Sequence, residues 1–401
     1  MSIFLVILSL LLYLIGIFLL LNVLYLLFFA LAGYRKSTSI SIASTTTTFR
    51  RVCVLIPAYR SDLVILETAP IAQRHPYLGH MQVYVIADGL QPTTVKELRG
   101  QGIEVLEVTF EKSTKGKALL SATQVIPAEL YDIAVVLDVD NVMGDNFLTQ
   151  VNQAFANGYR VIQGHRTAKN LDSPFALLDA CNEEINNHIF RQGHARLGMS
   201  AALIGSGMAF GYSYFKQLLH DIGDTPGEDK EMDFRIVKDR IKIGYLSTAY
   251  VYDEKIPNSQ AFTTQRTRWI AAQLEFLQKY FWEAPVQLWR GNMEFFDKVL
   301  QTLLVPRILL LGLLSLLLFL SLLGIQLGPP PLFWAGLLIG TGSALLLSLP
   351  AHMYNRQVAQ AIWHLPIALG AMVLALMQLK KAKASFLPTP HGASYTQETQ
   401  D

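Results

Sequence analysis

"VVLDVDNVMGDNF", Val135 to Phe147, is an apolar run that ends in two aspartates one residue apart, Asp138 and Asp140, followed by Asn141. It reads either as a strand whose loop merely needs polar residues, or as a strand delivering carboxylates to a metal ion. Side chains at i and i+2 of extended backbone point the same way, and flexing at Val139 would let both carboxylates approach one site. Hard oxygen ligands of this kind suit Mg2+ or Mn2+, which takes one or two protein carboxylates and completes its shell with water and phosphate. Aspartate at a strand end is common in turns, so the neighbours have to choose between the readings.

Upstream, the same design recurs. "RVCVLIPAYR" from Arg51 and "MQVYVIADG" from Met81 are apolar runs stopped by Pro57 and by Asp88-Gly89, and "IEVLEVTF" follows after helix-length material. Continuous β-branched runs separated by such segments predict an α/β domain with a mostly parallel central sheet covered on both faces. Ligands of such sheets bind at the carboxyl ends of the strands, where Pro57, Asp88 and Asp138 to Asn141 all fall. Neither a GxGxxG nor a GxxxxGK[ST] phosphate loop is present.

The flanks differ in kind. Hydrophobic residues make up 51% of the chain against 16% charged, and the imbalance sits at the two ends. Ile3 to Gly33 carries no charge, and about 20 apolar residues already cross a bilayer core. A cleaved signal peptide would need a basic n-region and a shorter apolar stretch, so an uncleaved anchor is expected. Arg35 and Lys36 then place the following segment in the cytoplasm. Three further apolar runs, Leu303 to Leu327, Pro331 to Pro350 and Ala359 to Leu379, approach spanning length. Four full crossings would leave Lys380, Lys381 and Lys383 outside, against the charge rule, so one segment would have to stop short or the tail break the rule. The expected organisation is an anchor (1–36), a polar linker (37–50), a cytoplasmic domain (51–291), an interfacial helix (292–302), membrane segments (303–379) and a polar tail (380–401). A net charge of +2 gives no footprint for nucleic acid, and Cys53 and Cys181 read as buried free thiols.

Other residues of the middle could carry chemistry. Lys115 and Lys117 flank Gly116 in a basic loop suited to phosphate. Glu228 and Asp229 open a helical pattern, as ordinary first-turn acids or as a general base. "QRTRW" groups Gln265, Arg266, Arg268 and Trp269, with guanidinium forks for phosphate and an indole for a sugar face. "GSGM" at Gly205 to Met208 offers close backbone approach or tight packing.

In this order, "VLIPAYRSD", "VIADG", "KGKALL", "LDVDN", "VIQGHRTAKN", "GSGM", "GEDKEMDFRI" and "QRTRW" resemble the membrane-embedded family 2 glycosyltransferases, the group of the cellulose, hyaluronan and poly-N-acetylglucosamine synthases. The resemblance spans about Arg51 to Trp269, and "KKAKASFLPTPHG" in the tail is similar to the family's end motif. It implies a GT-A type fold and a nucleotide-diphospho-sugar donor, expected to be UDP-linked. Ala58, Tyr59 and Asp88 would then line base and ribose, and Lys117 would face the phosphates. Asp138 would contact the nucleotide and Asp140 the metal. Asp229 would be the base, and Gln265 and Arg268 would hold the diphosphate. Gly207, Glu228 and Trp269 would meet the acceptor. Arg60 stands where many relatives carry Asn, and Ala87 where many carry a second Asp.

The implied activity is inverting transfer to a saccharide, making a β-linked cell-surface polysaccharide from a site on the cytoplasmic face of the cell membrane, with export partners unspecified. Two alternatives stand beside it: single transfer to a membrane lipid, and an inactive membrane-tethered scaffold.

Overall fold

The computed structural model describes residues 3–36, 48–222, 227–324 and 328–379. Most of the linker and the whole polar tail, with its end motif, lie outside the described residues.

The apolar runs form the sheet. Strands β1 (Val52–Tyr59), β2 (Met81–Asp88), β3 (Glu104–Val108), β4 (Ile133–Val136), β5 (Val142–Met143), β6 (Val161–Ala168), β7 (Met208–Gly211) and β8 (Ile243–Asp253) are arranged in the order β3-β2-β1-β4-β7-β6-β8-β5. The block β3-β2-β1-β4 is parallel, and so is the pair β6-β8. β7 runs against both β4 and β6, and the two-residue β5 runs against β8. The sheet is therefore mixed, with a reversal at β7 that uniform apolar runs do not announce. Gly205 and Gly207, at φ 83° and 63°, supply the left-handed backbone that turns the chain into β7.

Helices cover both faces, as a sheet of continuously apolar strands requires. The domain holds α2 (Asp62–Gln73), α3 (Pro92–Gly100), α4 (Lys115–Val125), α5 (Phe147–Ala156), α6 (Pro174–Asn186), α7 (His194–Arg196), α8 (Tyr212–Ile222), α9 (Glu228–Lys238), α10 (Ser259–Tyr280) and α11 (Glu283–Trp289), and α1 (Ile3–Ala32) precedes it. One core packs Leu119, Phe210, Phe215 and Met232 beneath α4, α8 and α9. The other packs Ile65, Leu98, Phe147 and Val151 beneath α2, α3 and α5. Cys53 and Cys181 are buried and free.

Beyond the domain come α12 (Met293–Leu303), α13 (Arg307–Leu322), α14 (Pro331–Leu347), α15 (Arg356–Ala361) and α16 (Leu365–Met377). Among the described residues two helices are long and apolar enough to cross a membrane, α1 and the run Arg356–Met377, or up to three if the bent pair α12 and α13 is one span. The pair bends by 56°. α14, with 17 residues, rises about 25 Å, short of a bilayer core of about 30 Å. α1 is bound to the domain as well as to its apolar neighbours. Tyr25 donates to Asp297 Oδ1 of α12 at 2.8 Å, and Asn22 Oδ1 accepts from Val305 N at 2.8 Å. A π-helical turn, Asn187–Gly193, abuts the end of α1: a Cβ on Gly193 would stand 2.5 Å from Phe29 O.

Candidate active site

The carboxyl ends of β1, β2, β4, β6 and β8 and the entry to β7 share one edge of the sheet. Tyr59 pairs with Asp88 at that edge, and Ala58 with Ala87 one step inside. Arg60 leaves β1 at φ 49°, a left-handed conformation in which Asn is strongly favoured over most residues. Its guanidinium lies 5.2 Å from the Tyr59 ring centroid.

The two aspartates of the opening stretch are not in extended backbone. β4 ends at Val136, and a turn closed by Asn141 N donating to Asp138 O at 3.1 Å carries both. Their side chains therefore part. Asp138 keeps 33% of its side chain exposed and pairs with Lys115, with Arg166 Nη1 3.9 Å away. Asp140 is 2% exposed, and its oxygens accept from Asn141 Nδ2 at 3.2 Å and from Glu254 N at 3.1 Å. Asn141, given no role by its sequence, ties the turn together. It donates to Asp253 Oδ1 at 2.9 Å and accepts from Ser206 Oγ, whose oxygen also takes the Asp138 N–H at 3.0 Å.

Of the two lysines beside Gly116, Lys115 is the one that faces the aspartates. Its Nζ reaches Asp138 and donates to Gly205 O at 2.6 Å. Lys117 lies at the N-terminal turn of α4, where its backbone N–H donates to the capping Thr114 Oγ1, and its ammonium donates to Lys112 O at 3.0 Å. A helix turns successive side chains by about 100°, so two lysines two apart cannot share a face. Gly207 is likewise displaced from the expected acceptor side. It is held inside the sheet by hydrogen bonds to Val136 and Gly164, and a Cβ there would meet Val251 at 3.1 Å. Gly205 is the glycine that borders the cleft: a Cβ on it would lie 3.5 Å from Asp229 Oδ2 and 3.8 Å from Lys115 Nζ.

Glu228 and Asp229 begin α9 opposite this edge. Glu228 is buried against Gly116, and burial, with the neighbouring Asp229 charge, pushes its carboxyl up to about 7 although Lys115 opposes the rise. Lys115 behaves inversely. Burial works against its charge, yet Asp138, Glu228 and Asp229 together hold the ammonium above its ordinary value.

α10, capped by Asn258 accepting from Ala261 N, brings the "QRTRW" residues. Its two arginines diverge. Arg266 is buried and paired with Asp179 of α6, with its guanidinium 4.2 Å from the Trp269 ring centroid. Arg268 turns to the cleft, where burial pulls it below its ordinary value against attraction from Glu228, Asp138 and Asp229. Trp269 is 39% exposed, and Gln265 Oε1 is buried with no hydrogen-bond partner among the described residues.

Behind the cleft lies an ion network that sequence patterning does not announce. Arg166, at the end of β6, pairs with Glu183 at 2.9 Å and approaches Asp253 at 3.8 Å. Lys255, 1% exposed, joins Asp253 at 2.7 Å and Glu183 at 3.3 Å. The one available signal is charge inside otherwise apolar stretches.

Among the described residues no three His, Cys, Asp or Glu side chains are grouped to hold a metal ion. Asp138 and Asp140 offer hard oxygen atoms at this edge, the donor type that Mg2+ or Mn2+ takes beside diphosphate oxygens, with their side chains pointing apart.

Residues 50–272 match the profile described as "Glycosyltransferase like family 2". Among solved structures, the mannosyltransferase PcManGT from Pyrobaculum calidifontis, in complex with GDP-Man and Mn2+, aligns with a TM-score of 0.52 at 16% identity, over 91% of this chain and 98% of that one. Glucosyl-3-phosphoglycerate synthase from Mycobacterium tuberculosis, in complex with Mn2+, UDP and glucosyl-3-phosphoglycerate, aligns with a TM-score of 0.34 at 15% identity, over 64% of this chain and 81% of that one. No curated protein sequence matches the chain. The first likeness is one of fold, the GT-A type; the sequence profile covers more than half of the chain, which therefore belongs to glycosyltransferase-like family 2.

Proposed function

We propose that the protein is a membrane-embedded inverting glycosyltransferase that moves a sugar from a nucleotide-diphospho-sugar to a saccharide hydroxyl, building a β-linked surface polysaccharide. One observation carries this reading: Lys115 and Arg268 both face the carboxylates of Asp138, Glu228 and Asp229 at the carboxyl edge of the sheet. Donor-side and acceptor-side groups thus share one cleft.

In this reading Ala58, Tyr59 and Asp88 line base and ribose, and Asp138 meets the nucleotide. Arg268 and Gln265 take the diphosphate, and the unpartnered Gln265 Oε1 awaits a donor from the ligand. Asp140 would hold Mg2+ or Mn2+, which would supply positive charge for the departing diphosphate. Asp229 accepts the proton of the acceptor hydroxyl as that oxygen attacks the anomeric carbon from the face opposite the diphosphate. Trp269 offers its exposed side to the acceptor sugar.

The donor is taken as UDP-linked from the resemblance to the polymer synthases. The solved mannosyltransferase holds GDP-Man with Mn2+, so both nucleotides belong in the test. The positive-inside rule puts the cleft in the cytoplasm. A second reading, single transfer to a membrane lipid, draws on the packing of Phe262 and Ile270 of α10 against Ala368 and Met372 of α16. Membranes bearing the protein, incubated with UDP- and GDP-sugars and either ion, separate the readings by product size. A long product supports the polymer, a single-sugar lipid supports the alternative, and no turnover with any donor overturns both.

A further inference from the structure

Arg307 opens α13 and is the one Lys, Arg, Asp or Glu between Lys298 and Arg356. A charge at the end of a membrane segment is costly, so what it answers is informative. Its Nη2 donates to Oδ1 of Asn182 at 2.5 Å and to Oδ1 of Asn186 at 2.8 Å, two neutral amides on one face of α6. Its Nη1 is buried with no hydrogen-bond partner among the described residues. With both amide oxygens turned to the guanidinium, the Nδ2 groups of Asn182 and Asn186 also donate to nothing among the described residues. Three N–H groups around one guanidinium therefore lack an acceptor.

The charge is uncompensated as well. Glu183, the acid that faces Arg307, is shared by Arg166, Lys255 and Arg191. Asp179 is paired with Arg266, and Arg266 and Arg191 both repel Arg307. Among the described residues no carboxylate lies within ion-pair distance of it. A half-buried cation in such company calls for an anion from outside the chain.

We propose that Arg307, Asn182 and Asn186 bind the phosphate of a membrane lipid where the domain meets α13. Phosphate oxygens match a guanidinium fork and accept several N–H bonds at once. The wall beside the donors favours a lipid over a soluble anion: Ile308 and Leu309, the next residues of α13, are half-buried and pack with Leu178 of α6 and Phe262 of α10. An acyl chain gains from that apolar surface, and inorganic phosphate does not. None of the three polar residues has a part in the donor or acceptor reading of the cleft. The proposal rests on α13 being membrane-embedded and holds for either product.

Native mass spectrometry of the full-length protein in detergent tests it, with titrations of dioleoylphosphatidylglycerol and of dioleoylglycerol, which has the same chains and no phosphate. The wild type should bind the phospholipid at least about 10-fold more tightly than the diacylglycerol, the scale of hydrogen bonds to a charged group. Arg307→Met should lose that preference. Asn186→Asp, which keeps the shape and gives Arg307 a carboxylate of its own, should lose it too, and it decides the matter if Arg307→Met does not fold. Phospholipid preference retained in either folded variant overturns the proposal, as does a wild type that binds the two lipids alike. Inorganic phosphate that displaces the phospholipid from the wild type at equal concentration would keep the anion site and overturn the lipid as its source. Release of the protein from membranes by alkaline carbonate would remove the membrane reading and leave the lipid titration standing, so the two failures are distinguishable.

Discussion

Asp138 and Asp140 stand two residues apart and meet opposite environments: Asp138 pairs with Lys115 at the mouth of the cleft, while Asp140 is 2% exposed beneath the Glu254 backbone N–H. The turn between them divides a cleft-facing carboxylate from a buried one. Asp140→Asn keeps the shape and one acceptor oxygen for the Glu254 N–H, giving up the contact from Asn141 Nδ2, so the fold should survive with a melting temperature within several degrees of the wild type. Transfer should fall by about 100-fold or more, the scale of losing one preorganised electrostatic group. Activity near the wild-type level in Asp140→Asn would remove it from the metal site.

Glu228 gives a pH-dependent stability with a definite sign. Its carboxyl is raised from an ordinary value near 4.5 to about 7 in the fold. Between those pH values the folded protein holds more protons than the unfolded chain, so stability declines as pH rises and the deficit is complete above 7. Glu228→Gln should therefore melt higher than the wild type at pH 8 and equally near pH 4. At about 1.4 kcal/mol per pH unit, the gap has an upper bound of roughly 3 kcal/mol. Thermal unfolding across that range checks it.

Glu183 works the other way. Although burial raises its carboxyl, Arg166, Lys255 and Arg191 hold it well below its usual range. Its contribution is then present at neutral and mildly acid pH and fades only as pH drops below the ordinary carboxylate value. Glu183→Ala leaves three buried cations undercompensated and should cost about 3–5 kcal/mol, the range for breaking one side of a buried pair. The deficit in melting temperature should be constant from pH 6 to 8.

The acceptor role proposed for Trp269 can be told apart from donor binding. Trp269→Ala should raise the acceptor KM several-fold and leave the nucleotide diphosphate Kd within about twofold, because an aromatic contact is worth about 0.5–1.5 kcal/mol beyond its area. Calorimetry with UDP and with GDP, set beside acceptor kinetics, reads both. A weakened nucleotide Kd with an unchanged acceptor KM would reverse the assignment.

Much of this architecture is legible in the sequence for a physical reason. Strands buried on both faces must be continuously apolar, so Val52 to Tyr59 and Met81 to Asp88 announce themselves, and the polar residues that stop them mark the ligand edge. The reversal at β7 is not legible, since antiparallel and parallel pairing ask the same of Met208 to Gly211 when both neighbours are buried. At the site, period-2 alternation of side chains holds only for extended backbone, and the turn after Val136 takes Asp138 and Asp140 out of it. Spacing alone also could not choose between Lys115 and Lys117, or see that Arg266 answers Asp179 while Arg268 answers the cleft. Those choices depend on helix rotation relative to partners far away in the chain.

The proposed function requires one cleft both to bind a nucleotide-diphospho-sugar and to deprotonate an acceptor through Asp229. The most direct measurement is release of nucleotide diphosphate by the full-length protein in bilayer vesicles with UDP- and GDP-sugars and Mn2+, comparing wild type with Asp229→Asn. The account predicts acceptor-dependent release by the wild type and a loss of about 100-fold or more in Asp229→Asn, with donor Kd unchanged within about threefold. Release at the wild-type rate by Asp229→Asn would contradict it.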